Sequence, residues 1–218
     1  MRVFAAFVAV AVALCAACGP SDVPRPTAGS PRPAAVDLAH VARVRGDLPS
    51  GYEVADLVGP TAPSAFWGFG PQWTADPPQC GVLADPAVDG ATARGWSASG
   101  PGGIVYVVAA AGPATGPDVA LIGDCGSSTF SAGRTSATVT TVEAPSIDAA
   151  TTLGTRTETT TVVEGGTETH SHADTFTAYF GGYVAYVTVV TDPGSSGPIL
   201  GADFAAGLLV KTVSALQG

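Results

Sequence analysis

Residues 155–191 read TRTETTTVVEGGTETHSHADTFTAYFGGYVAYVTVVT, and this stretch decides the fold. Residues 155–163 are dominated by Thr and Val. Glu164-Gly165-Gly166 then leads into 167–180, and Gly181-Gly182 leads into 183–191. β-Branched and aromatic side chains suit a pleated surface, and paired glycines supply the positive φ of tight hairpin turns. Three strands joined by two short turns read as an antiparallel meander.

Working outward, 136–143 is another Thr/Val strand and 51–58 alternates as a half-buried one. Residues 104–111 follow Gly100-Pro101-Gly102-Gly103 and are apolar throughout, which predicts a central strand covered on both faces. Helical signals are fewer. Residues 78–84 and 118–125 are short candidates. Residues 203–216 form a strong one, with Asp203 expected as N-cap. There Ala205, Leu208, Leu209, Thr212, Val213 and Leu216 fall on one helical stripe. Residues 38–45 fit either a short helix or a strand. The expected class is α+β: a twisted antiparallel sheet with the C-terminal helix and short helices packed on one face, in a single domain spanning 46–218.

Composition narrows the function. The 218 residues are 46% hydrophobic and only 12% charged, which is not the balance of a disordered chain. The net charge is −9, with Lys211 the single lysine, so the basic surface that a nucleic acid requires is missing.

The N-terminus reads as an address. Arg2 precedes an apolar run over 3–14, too short to span a bilayer and shaped like a signal peptide, assigned to 1–17. Leu14-Cys15-Ala16-Ala17-Cys18-Gly19 resembles a bacterial lipobox with Cys18 as the lipidated residue; Cys15 departs from the usual pattern. The alternative is an ordinary signal peptide that leaves Cys18 as a thiol. Two acyl chains, at about 0.8 kcal/mol per buried CH₂, would hold the protein stably on a membrane. Pro20, Pro24, Pro26, Pro31 and Pro33 mark a tether, so 18–45 is assigned to the lipidated cysteine and spacer. With Cys18 acylated, Cys80 and Cys125 are the one intramolecular pair left, and an exported protein is expected to join them.

Chemistry is harder to find. Gly95-Trp96-Ser97-Ala98-Ser99 lacks the last glycine of a nucleophile elbow and reads as a Ser/Gly-rich loop. Gly68-Phe69-Gly70-Pro71-Gln72-Trp73 starts like a dinucleotide fingerprint but has Trp73 in place of the third glycine. No cofactor motif and no catalytic set emerges. Glu168, His170, His172 and Asp174 alternate along one strand and so share a face, with His170 and His172 as weak metal candidates. The competing reading is a solvated outer strand. Phe66, Trp67, Phe69 and Trp73 crowd into eight residues amid Gly and Pro. They either line a ligand cleft, rest on envelope lipid, or cap the core with their rings.

The lipobox at Cys18, the Pro-rich tether, and the segments Gly51-Tyr52-Glu53-Val54, Asp76-Pro77-Pro78-Gln79-Cys80, Val142-Glu143-Ala144-Pro145 and Leu208-Leu209-Val210-Lys211-Thr212-Val213 together resemble a family of mycobacterial lipoproteins of unknown function. More distantly, the domain is similar to the extracellular sensor domain of the mycobacterial receptor serine/threonine kinase H. That resemblance implies a twisted antiparallel sheet with flanking helices and a ligand cleft. The expected protein is an envelope lipoprotein on the outer face of the plasma membrane. Its domain would bind an envelope lipid, a small molecule or a protein partner without catalysis. The alternative is a scaffolding lipoprotein whose acidic surface meets another envelope protein.

Overall fold

The structure is a computed structural model, and it describes residues 35–59, 61–191 and 199–218. The signal peptide, Cys18 and the Pro-rich run lie outside the described residues.

Nine antiparallel strands form one sheet. In chain order they are β1 (Glu53–Asp56), β2 (Thr74–Asp76), β3 (Arg94–Gly100), β4 (Gly103–Ala111), β5 (Ser127–Ala132), β6 (Thr135–Val142), β7 (Thr151–Val162), β8 (Glu168–Phe180) and β9 (Tyr183–Thr191). Their order across the sheet is β1-β3-β4-β9-β8-β7-β6-β5-β2. The expected meander is present as β7-β8-β9, turning at Gly165-Gly166 (φ 92° and 81°) and at Gly181-Gly182 (φ 56° and 84°). Strand β4 is covered on both faces, as its unbroken apolar run predicts, with Val105, Val107 and Val108 all fully buried.

The expected α+β fold, with its C-terminal helix, short helices and one disulfide, is what forms, and the helices divide between the two faces. One face carries α4 (Ala202–Gln217), whose six buried positions are the six of the predicted stripe. Burying each Leu there contributes about 1.5–3 kcal/mol. The stripe closes over Trp96, Val107, Phe176, Ala178, Val187 and Val189, which point to this face by the two-residue alternation of their strands. Gly201, not Asp203, takes the N-cap position; Asp203 stands in the first turn, where a carboxylate complements the helix dipole.

The segment that fitted helix or strand is a 3₁₀ helix, Leu38–Asp47, and it belongs to the core. Val41 and Val44 are buried, and the Trp96 indole donates to the Val41 carbonyl at 2.8 Å. The domain therefore takes in residues that composition assigned to the spacer. Two apolar residues three apart share one side of such a helix, and the Trp96 hydrogen bond holds that side against the sheet. The two ends of the domain are sewn together beside it. The Asp37 amide donates to the Leu216 carbonyl at 2.9 Å, and Lys211 pairs with Asp47 at 2.6 Å.

Strand β3 is a second correction, because its sequence reads as a loop. Its residues alternate, with Trp96 and Ala98 buried and Ser97 and Ser99 on the other side. Gly95 is there for space: a Cβ would stand 2.6 Å from the Val107 carbonyl oxygen. Strand β1, expected to be half-buried, is an edge strand with all four residues exposed.

Candidate functional site

The face opposite α4 carries a layer of threonines. Thr155, Thr157, Thr159, Thr175, Thr177 and Thr188 are all buried there, and the aromatic segment settles over them. The helix α1 (Pro63–Phe66) starts with Pro63, whose fixed φ suits a first turn. Its rings then find separate seats. Phe66 stacks on Tyr106 with centroids 4.1 Å apart, and the Trp67 indole donates to Thr175 Oγ1 at 3.1 Å. Trp67, Phe69 and Trp73 gather around Phe130 of β5, at 6.1, 6.5 and 5.3 Å between centroids. Trp67 and Phe69 are buried at 2% and 4% exposure, so core capping is their main role.

The same segment also builds a cleft. A cavity of about 640 Å³ opens between residues 61–73 and the chain that follows α2 (Gly81–Ala84). Phe69, Pro71 and Trp73 form one wall, and Pro86, Ala87 and Val88 the other. Phe66 and Trp67 do not line it. Thr61, Ser64 and Asp85 are its polar side chains. Asp85, Pro86 and Val88 carry no motif, and only the tertiary fold brings them to the aromatic segment.

Both walls are fixed to the sheet. The Tyr186 hydroxyl donates to the Thr61 carbonyl, which anchors the first wall. The second is stapled by the expected disulfide: Cys80 and Cys125 are bonded, with Cα atoms 5.6 Å apart. This ties the 3₁₀ turn Pro78–Cys80 and α2 to the end of α3 (Val119–Asp124). Beyond the staple, the Asp89 amide donates to the Ala111 carbonyl at 2.8 Å.

Asp85 is open to solvent on one side, yet the surrounding protein pushes its carboxyl above the usual carboxylate range by desolvation. No hydrogen bond or ion pair reaches that carboxylate from the described residues. Tyr186 lies near enough for the charge of Asp85 to raise its phenol further, beyond what burial does.

The histidine strand lies on the other face, past the end of α4. Alternation does place Glu168, His170, His172 and Asp174 together, but they pair locally. His172 Nε2 meets Asp174 Oδ2 at 3.2 Å, and the buried Asp174 also accepts from Arg156 Nε at 3.2 Å. His170 Nδ1 lies 3.1 Å from Thr160 Oγ1, while Glu168 is 3.9 Å from its Nε2. Among the described residues no three His, Cys, Asp or Glu side chains come together in a way that would hold a metal ion. Ser97 of β3 is paired with Ala55 and Tyr106, three strands away from the histidines of β8. No helix among the described residues is long and apolar enough to cross a membrane.

Comparison with known proteins accords with this picture. The family described as Domain of unknown function (DUF5642) matches residues 37–217. No curated protein matches the chain by sequence. Among solved structures, an uncharacterized protein from Mycobacterium smegmatis, the Rv0999 ortholog, is similar with a TM-score of 0.61 and 21% identity, over 84% of this chain and 98% of that one. The extracellular domain of PknH from Mycobacterium tuberculosis has a TM-score of 0.43 and 14% identity, over 82% of this chain and 92% of that one. The first of these is a likeness of fold. The family match, to a domain of unknown function, is in keeping with the resemblance drawn from the sequence.

Proposed function

The chain belongs to the DUF5642 family, and from that premise we propose that it is an exported envelope protein, held to the membrane by lipid on Cys18, whose domain binds a small ligand without transforming it. The cleft carries this reading. At about 640 Å³, mostly apolar and with few polar groups, it has the size and character of a small-molecule site. Its described lining contains no His, Cys or Lys, and no hydrogen bond among the described residues joins Thr61 or Ser64 to Asp85. The anchor is supported by the lipobox-like run ending at Cys18 and by the prolines that follow it.

The test is mass spectrometry of the full-length protein made in a mycobacterial host, sprayed native and then denatured. Acyl groups on Cys18, together with an extra native mass lost on denaturation, are the expected result. An unmodified Cys18 would remove the anchor, and equal native and denatured masses would count against a resident ligand. A second reading, as a scaffolding lipoprotein, draws on the exposed edge strand β1 and the net charge of −9. In that case crosslinking in cells would trap a protein on β1.

A further inference from the structure

Among the described residues the cleft carries one charged side chain, and that charge has no partner. Of the described side chains lining it, only Asp85 carries a charge at neutral pH, and no Arg, Lys or His stands among them. A second hollow, of about 470 Å³, adjoins the cleft and shares both Trp73 and Asp85 with it. These two residues, an indole and a carboxylate, thus line both hollows. Asp85 is open to solvent on one side, and a carboxylate without a partner beside apolar walls gains from a cation that brings an apolar body with it. A half-buried indole adds attraction for the same charge through its ring face.

We propose that the cleft selects an amphiphile bearing a single ammonium group, with the ammonium between Asp85 and Trp73 and the apolar body along Phe69, Pro71, Pro86 and Val88. This rests on the binding role proposed above and names the chemistry of its ligand. A carboxylate or phosphate ligand would meet Asp85 with like charge. A neutral ligand of the same length would leave the carboxylate no better paired than in the empty cleft.

The experiment titrates the full chain, in a non-ionic detergent at neutral pH, with n-hexylamine, 1-hexanol and hexanoate. Tryptophan fluorescence is the readout, since Trp67 and Trp96 are buried while Trp73 lines the cleft. The amine is expected to bind about tenfold or more tightly than the alcohol, the scale of a charge-assisted contact, and hexanoate more weakly still. Asp85→Asn should bring the amine down to the affinity of the alcohol and leave the alcohol unchanged. The comparison on the unaltered protein stands even without that variant. If the alcohol binds as well as the amine, or if Asp85→Asn keeps the preference, the ammonium assignment is overturned while the cleft remains a binding site. If none of the three changes the fluorescence, the binding role falls as well.

Discussion

The indole of Trp67 donates to the hydroxyl of Thr175 across 108 residues of chain, and Thr175 in turn lies 2.9 Å from Thr188. A Trp from the aromatic segment and a threonine pair from β8 and β9 thereby fix the cap of the cleft to the middle of the sheet. Trp67→Phe, which keeps the ring and loses the donor, should cost about 1 kcal/mol. Trp67→Ala should cost about 3–5 kcal/mol, because it also empties the space between Phe130 and the threonine layer. Urea denaturation of both variants measures the two losses; an unchanged stability in Trp67→Phe would mean that the hydrogen bond contributes nothing.

Two hydroxyls in the same layer are less well placed. Ser128 Oγ and Thr157 Oγ1 are buried without a partner among the described residues, on either side of Val139 in the strand register. Thr157→Val keeps the shape and removes the orphaned group, so it should stabilise the domain by about 1 kcal/mol. Calorimetry would show this as a higher Tm.

The Cys80–Cys125 bond closes a loop with a sequence separation of 45. Replacing both cysteines with Ser should cost about 4 kcal/mol by the loop-entropy relation. Reduction of the native protein should also weaken ligand binding before it unfolds the sheet, since the staple holds the wall that bears Asp85. Fluorescence titration with and without reductant separates the two effects.

Glycines that look alike in the sequence should respond in opposite directions. Gly95→Ala forces a methyl against the Val107 carbonyl and should destabilise by about 1–3 kcal/mol. Gly207 lies on the exposed side of α4 with nothing within 4 Å of a new Cβ. Gly207→Ala should stabilise by about 0.5–1 kcal/mol, as a helix interior favours Ala. Paired denaturation curves settle both signs.

Stability should fall at both neutral and alkaline pH for one shared reason: the fold prefers certain acids protonated. Asp85 has its pKa raised by desolvation, so its contribution is full below the usual carboxylate range and is lost as the pH rises through the raised value. Asp85→Asn should therefore have the higher Tm at pH 7, and the gap should close in acid. Burial likewise pushes Tyr179 up to about 12, and Tyr186 higher. These phenols ionise near pH 10 once unfolded, so stability should decline from about pH 10 upward. Urea midpoints across that range check it, and Tyr179→Phe should show a shallower decline.

What the sequence revealed and what it hid follow from the range of the interactions. The stripe of α4 and the β7-β8-β9 meander were legible because their signals are local: helical spacing in one, alternation and paired glycines in the other. Strand β3 was not. Its one large apolar residue is Trp96, and its glycine answers to a carbonyl on a neighbouring strand. The helix Leu38–Asp47 escaped for a similar reason, since Val41 and Val44 find their partners in α4 and β3. The four aromatics announced themselves as a cluster, but only Phe69 and Trp73 line the cleft. Asp85 had no signal of its own; what sets it apart is the company it keeps in three dimensions.

The seam between Asp37 and Leu216 has a consequence for how the chain matures. A polypeptide emerging from a ribosome or a translocation channel delivers Leu38–Asp47 first and α4 last. Until the final turn of α4 is free, the strand face holding Phe176, Ala178 and Val187 lacks its main cover. The sheet face is complete only when β9 has been made and stays uncovered until α4 follows, and contacts of such long sequence separation as that between Asp37 and Leu216 are slow to form. A chain lacking residues 207–218 would be a client for chaperones and proteases rather than a slightly smaller domain.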